Sequence, residues 1–514
     1  VDFLVLGYSY SFWSVAYALD KDLVIQLQQQ QLIEQQKLIA MLRQLSDAKD
    51  DLISSLKQTV SEQGTMILLL EARVTELENN QKKNSSNSSK PPSSDMGKPK
   101  QTNSLRTSSG KKPGGQVGHT GETLSFSATP DEIITHIVSH CACCGKSLSG
   151  VSAIDCERRQ VYDIPPIAMM VTEHQSEIKS CPQCNTINKA AFPGGVSQPV
   201  QYGSSVQALA AYLTQYQLLP YGRTAQIFGD LFGHAPSEAF LVNNNKRLAG
   251  NLQPFVEALK TILLQEPVLH GDETGYYYKG QRNWLHVLCN EKFTLYMPHA
   301  KRGRQAMDEM GVLSRYTGTL VHDHWRAYLE YACKHALCNV HHLRDLTFCE
   351  EVLHCTWAKA IKQFLLDLYE KVQQGNKAGQ KGLTRGQRQY WDKRFNTLIE
   401  KGRDLYPPPK KIKGRRGVTA KSKSENLLER FEKYGTEVLA FASNTIIPFG
   451  NNLAEQAIRM MKVKQKISGC FRSEQGAIDF ATIRSYIATM QKHGVSIIHA
   501  IHEAVNGSPR LLSA

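Results

Sequence analysis

Acid is what this chain is short of. Its 514 residues carry 61 Lys and Arg against 47 Asp and Glu, a formal net charge of +14. Such an imbalance favours a polyanionic partner, nucleic acid or an anionic membrane surface, with plain solubility as the alternative. Cysteine is also sparse: 12 residues are too few for a disulfide scaffold at this length, which points to a reducing cytosol. No secretory signal is recognisable. The apolar opening "VDFLVLGYSYSFWSVAYAL" lacks a basic flank, is broken by Gly7 and several Ser and Tyr, and barely reaches spanning length, so neither a signal peptide nor a membrane partner is expected. Residues 1–22 are set aside as an atypical extension. What remains, 41% hydrophobic and 21% charged, is ordinary for a soluble protein of several domains.

Residues 23–80 read as a long helix. Leu38, Leu42, Leu45, Leu52 and Leu56 follow the spacing of a coiled-coil seam, and Ile67, Leu70, Val74 and Leu77 resume it. The phase slips near Val60, and Gly64 weakens the helix. The pattern fits a coiled coil pairing subunits into a homo-oligomer, or an amphipathic helix packed on its own domain. A Ser-, Asn-, Pro- and Lys-rich stretch follows over 81–128. It cannot bury enough apolar surface to fold alone, and it suits either phosphate contacts or a solvated tether.

Residues 129–200 carry two short cysteine pairs. Cys141-x-x-Cys144-Gly145 and Cys181-x-x-Cys184-Asn185 each place a residue tolerant of positive φ after the second thiol. The backbone can then turn tightly beneath one tetrahedral Zn²⁺, and two such knuckles make a zinc ribbon. Buried free thiols or a redox pair are the alternatives, and Cys143 is a competing thiol. Residues 201–262 are helical. "TAQIFGDLFG" and "SEAFLVNNNKRL", with Ser237 as N-cap, fit a DNA-reading helix-turn-helix or any helical hairpin.

From Pro267 the period changes. Three short β candidates, the helix "RGRQAMDEMG" and a fourth strand at 318–323 read as the opening of a ribonuclease-H-like α/β sheet. The domain is expected over 263–485, with a helical insertion at about 345–445 and a helical tail at 486–514. Asp272 is expected to end the first strand and Asp323 the fourth. In such a sheet these strands are neighbours, so the two carboxylates meet at one rim. A lone Asp323 between two histidines would otherwise read as a turn residue. Glu455 is expected on a later helix whose buried stripe is Ala454, Ile458 and Met461, with Arg459 and Lys462 on a neighbouring face. Three converging carboxylates repel unless cations sit between them, and hard oxygen ligands select Mg²⁺ or Mn²⁺. Two such ions serve phosphodiester cleavage and strand transfer. His322 and His324 are expected to pack away from Asp323.

At these residues the chain resembles the insertion-sequence sixty-six family of bacterial DDE transposases, whose large subunit is catalytic. "KNSSNSSKPPSSD" and "KPGGQVGHTGETL" are similar to its linker blocks, and "CACCG" with "CPQC" to its zinc segment. "DETG", "HDHWRAY", "LCNVHHLRDL", "NNLAEQAIR" and "SGCFRSEQGA" resemble its catalytic blocks in order. The resemblance implies that Asp272, Asp323 and Glu455 are the metal-binding catalytic residues. Cys338 and His341 resemble a Cys-x-x-His signature that supports such sites, and Arg459 is grouped with them. It further implies a bacterial protein at the nucleoid, DNA ends as substrate, and accessory proteins of the same element. Lys410, Lys411, Lys413, Arg415 and Arg416, in a loop without one acid, and Lys462 are expected to hold DNA phosphates. The rival readings are a resolvase or ribonuclease of the same fold, and a DNA-binding remnant without cleavage.

Overall fold

The structure is a computed structural model that describes residues 21–84, 87–88, 118, 124–165, 167–406 and 421–511. The opening extension to residue 20, most of the linker and the basic loop at 407–420 lie outside the described residues. Among those described, no helix is long and apolar enough to cross a membrane. The chain divides into two units at Lys83.

The first unit is one helix, α1 (Lys21–Gln81), 61 residues without a break. Neither the phase slip at Val60 nor Gly64 interrupts it. A glycine in a helix interior costs about 1 kcal/mol, too little to break a run this long. Its seam residues bury nothing within the unit: Leu45 is 65% exposed and Leu52 61%.

The second unit opens with the two cysteine knuckles. The first is closed by a bridge between His140 and Ser147. The second sits at the turn of a hairpin, β1 (Ile178–Ser180) against β2 (Ile187–Lys189). Four helices follow: α2 (Ser204–Ala211), α3 (Tyr221–Phe232), α4 (Glu238–Asn251) and α5 (Gln253–Gln265). Gly233, at φ 69°, ends α3 in the left-handed conformation that favours glycine. The Ser237 hydroxyl caps α4 by accepting from the Phe240 amide.

The core is a five-stranded mixed sheet. Its strands are β3 (Val268–Tyr278), β4 (Gln281–Cys289), β5 (Thr294–His299), β6 (Thr319–His322) and β7 (Lys334–Leu337), in the order β5-β4-β3-β6-β7. The helix α6 (Arg304–Met310) connects β5 to β6. β3 pairs antiparallel with β4 along most of its length. Its parallel pairing with β6 runs only from Val268 to His270. β7 is not legible in the sequence, because Lys-His-Ala-Leu is too short to show a period.

Then comes the helical insertion: α7 (Asn339–Glu351), α8 (Thr356–Lys377), α9 (Arg385–Arg403), α10 (Lys423–Lys433) and the single turns α11 (Gly435–Val438) and α12 (Ala440–Ser443). Leu346, Ile361, Phe364, Phe395 and Phe431 give it a core of its own. The chain closes with α13 (Asn452–Ser468), α14 (Glu474–Lys492) and α15 (Ile497–Val505). As expected, α13 buries Ala454, Ile458 and Met461. They pack on Tyr276, Leu285 and Val287 of one sheet face. The other face carries Leu269, Leu288 and Leu320 onto Leu259 and Leu263 of α5.

Candidate active site

The strand alternation of β3 decides where its acids go. Asp272 shares a face with His270, the face that α13 covers, and Glu273 takes the opposite one. Contrary to expectation, Asp272 does not end its strand; β3 runs on to Tyr278. What ends near Asp272 is the pairing with β6, since β6 stops at His322 and the chain turns at Asp323. The two aspartates therefore stand two residues beyond the last parallel pair, His270 with Val321.

Asp323 is also a turn residue. Its Oδ1 accepts from the Trp325 amide at 2.9 Å. Its neighbours pack, as expected. His322 is buried, bonds through Nδ1 to the Asp323 carbonyl and lies against Tyr328. His324 meets Tyr434 edge to face, with ring centres 4.8 Å apart. Burial holds both rings neutral, at about 3 and about 4.

Glu455 arrives from the first turn of α13. The residue that sets this turn does not stand out in the sequence: it is Asn451, which is 2% exposed. Its Oδ1 accepts from His270 Nδ1 at 2.8 Å and its Nδ2 donates to the Gly271 carbonyl at 2.8 Å. Its backbone amide donates to Cys338 Sγ at 3.1 Å, and its carbonyl accepts from the Glu455 amide. One buried amide thus ties β3, the Cys338 turn and the start of α13 together. Only its place in "NNLAEQAIR", just ahead of the helix, could have drawn attention to it.

The electrostatics are those of a crowded acidic rim. Burial pushes the Asp272 carboxyl up to about 7, with the charges of Glu273, Asp323 and Glu455 adding to the effect. Glu455 Oε1 is buried without a hydrogen-bond partner. Its nearest cation is His341, at 3.7 Å from Nδ1. Among the described residues, Cys338, His341 and Glu455 are the one group of three or more ligating side chains whose atoms lie within 4.8 Å of one another. Asp272, Asp323 and Glu455 do not form so close a cluster here. Burial alone would lower the His341 pKa, but Cys338 and then Glu455 outweigh it and raise it to about 9.

Arg459 does not support Glu455. It is exposed and its side chain has no ion pair or hydrogen bond among the described residues, whereas His341 faces Glu455. Lys462 is exposed and donates to the Gly275 carbonyl of β3 at 2.8 Å. Lys410, Lys411, Lys413, Arg415 and Arg416 lie outside the described residues.

Glu273, equally inconspicuous in the sequence, has a side chain only 2% exposed and receives Arg302 Nε and Nη2 at 2.8 and 2.6 Å. The Tyr328 hydroxyl donates to its other oxygen at 2.6 Å. Fully paired, Glu273 has no oxygen to spare for a ligand, whereas Asp272 and Glu455 do.

In the cysteine module both knuckles have the expected turn. Gly145 has φ 70° and Asn185 has φ 61°. Their amides donate to the Cys141 and Cys181 carbonyls at 2.9 and 2.8 Å. Hydrogen bonding lowers the Cys141 thiol, chiefly through Cys144, and the Cys184 thiol, chiefly through Thr186. Lowered thiols suit metal ligation. Among the described residues the two pairs are not drawn into one group within 4.8 Å, and Cys143 is exposed.

Three family profiles match the chain. Residues 24–125 match a family of unknown function. Residues 139–185 match the zinc-finger binding domain of transposase IS66, which supports a structural zinc there. No curated protein matches. Residues 199–479, carrying the sheet and all three acids, match the profile described as Transposase IS66 family. With more than half of its length under that one profile, the chain belongs to the IS66 transposase family.

Proposed function

We propose that the chain is a DNA transposase whose Asp272, Asp323 and Glu455 cut phosphodiesters at the ends of an insertion sequence and join them to target DNA. The observation that carries this reading is Asp272: a carboxyl held near neutral pH by burial beside three other acids, on the strand next to Asp323 and beneath the helix of Glu455. The orphaned Glu455 oxygen fits a cation as well. Two Mg²⁺ or Mn²⁺ ions, when bound there, would activate the attacking oxygen and stabilise the leaving one. The protein's share is placement. Asn451 holds the first turn of α13 against β3, the Trp325 amide fixes one oxygen of Asp323, and His341 steadies Glu455.

On this reading the core is the ribonuclease-H-like sheet of DDE enzymes, with the helices from α7 to α12 as its insertion. We keep 263–485 as the limits of this core and 129–200 as those of the zinc module. Zinc would close the two preformed knuckles on one another through Cys141, Cys144, Cys181 and Cys184. The exposed apolar seam of α1 is suited to a second copy, pairing subunits as a coiled coil. The α3–α4 pair, Lys462 and the basic loop at 407–423 are the proposed DNA contacts.

The test is incubation of purified protein with labelled element-end DNA and Mg²⁺, scoring nicks and joined products. Activity that survives loss of all three acids would overturn the reading.

A further inference from the structure

On the sheet face opposite Glu455, two arginines and two tryptophans alternate in one stack. The Arg282 guanidinium lies 4.4 Å from the centre of the Trp284 ring, and that of Arg302 lies 4.9 Å from the same ring. Arg302 also lies 4.2 Å from the Trp325 ring. One end of this ladder is tied to the acidic rim, through the Trp325 amide on Asp323 and Arg302 on buried Glu273. At its other end Arg282 is exposed, and its side chain has no ion pair or hydrogen bond among the described residues.

Gly275 makes room for that end. A Cβ there would stand 2.7 Å from Arg282 Nε, so only glycine lets the guanidinium lie across β3 beside Trp284. The partner of Trp284 in the β3–β4 ladder is Gly275 itself. A second cation stands close by: Lys462 donates to the Gly275 carbonyl, and partial desolvation of its amine, with repulsion from Arg282 added, lowers its pKa. Gly275 lies three residues along the strand from Asp272, about 10 Å at the usual rise.

Two neighbouring cations without an acid, one of them a flat guanidinium at the end of an aromatic stack, suit one kind of partner. We propose that the Arg282–Trp284–Arg302–Trp325 ladder is a stacking platform for an unpaired base of DNA, beside the phosphodiester held at the Asp272–Asp323 rim. A base inside a duplex has both faces covered, so only an unpaired one can extend the stack. Arg282 offers the plane and Lys462 a phosphate contact. The inference rests on the reading that this rim acts on DNA, and gives that site a substrate class: ends with unpaired nucleotides rather than flush duplex.

The test uses the full zinc-loaded chain without added Mg²⁺ or Mn²⁺, so that cutting plays no part, with a flush duplex and the same duplex bearing a single-stranded overhang. The overhang carries an adenine analogue whose fluorescence is quenched by stacking. The wild type is expected to bind the overhang DNA more tightly and to quench the analogue. Arg282→Lys keeps the charge and loses the plane. It should weaken overhang binding about tenfold, abolish the quench and leave flush-duplex binding within about twofold. Gly275→Ala keeps the guanidinium but displaces it, and should act in the same way. If the wild type binds both duplexes equally without quenching, or Arg282→Lys behaves as wild type, the platform is wrong and the nuclease reading stands. If the wild type binds neither DNA, both fall together.

Discussion

His341 Nδ1 and Glu455 Oε1 face each other at 3.7 Å, both buried and neither with a hydrogen-bond partner. A charged imidazole is the only counter-charge Glu455 has at this distance among the described residues, and it comes from α7, the first helix of the insertion. The insertion is thereby coupled to the third acid. On the proposed reading His341 is a positioning residue, because the group it faces is the Glu455 carboxylate.

Replacing it tests that role. His341→Ala should lower the cleavage rate about ten- to a hundredfold, the usual cost of removing an outer-sphere partner. The DNA dissociation constant should stay within about twofold. His341→Gln, which keeps a donor, should recover part of the rate. A loss of binding equal to the loss of rate would assign His341 to folding instead.

The turn role of Asp323 and its proposed catalytic role can be separated by one substitution. Asn keeps an Oδ1 to accept from the Trp325 amide, so Asp323→Asn should melt within a few degrees of the wild type. It loses the negative charge, so cleavage should fall by orders of magnitude while DNA binding survives. Strand transfer at a normal rate would leave Asp323 a turn residue and nothing more.

Asp272 predicts a pH-dependent stability. Its pKa is about 7 in the fold against an ordinary value of 3.8. The folded state therefore keeps a proton that the unfolded chain releases between roughly pH 4 and 7, and stability falls as pH rises through that window. The loss is at most about 1.4 kcal/mol for each pH step of one, so a few kcal/mol is the ceiling. Without added Mg²⁺ or Mn²⁺, the melting temperature of the wild type should drop relative to Asp272→Asn from pH 4 to pH 7. Adding Mg²⁺ at pH 8 should raise the wild type and leave the variant nearly unmoved. Parallel pH curves for the two proteins would mean that Asp272 is ionised at little cost.

The cysteine module should hold one zinc per chain. Cys181→Ser should remove it by elemental analysis and expose residues 130–200 to proteolysis, since structural zinc supplies folding free energy. Cys143→Ser should do neither, because Cys143 stands outside both Cys-x-x-Cys pairs. Full zinc in the Cys181 variant would reassign the ligands.

Much of this is legible in one dimension because it depends on local chemistry. A turn needs a residue that tolerates positive φ, and Gly145 and Asn185 stand where the two thiol pairs require them. A helix buries every third or fourth residue, which is why the stripe of α13 can be read from Ala454, Ile458 and Met461. The N-cap at Ser237 is local in the same sense. The ordered blocks around "DETG", "HDHWRAY" and "NNLAEQAIR" are enough to suggest the family.

Tertiary structure decided everything that joins distant segments. Asn451 bonds to Gly271 across 180 residues of chain, and no periodicity reveals such a pair. The helical insertion returns Glu455 to His341, but its length says nothing about where it returns. The full length of β3 escapes the sequence because its far half is held by β4 alone, after β6 has ended. Arg282, Trp284, Arg302 and Trp325 look like scattered surface residues in the sequence. They stack only because β3, β4 and the turn after β6 meet at one rim, and because Gly275 leaves space for a guanidinium there.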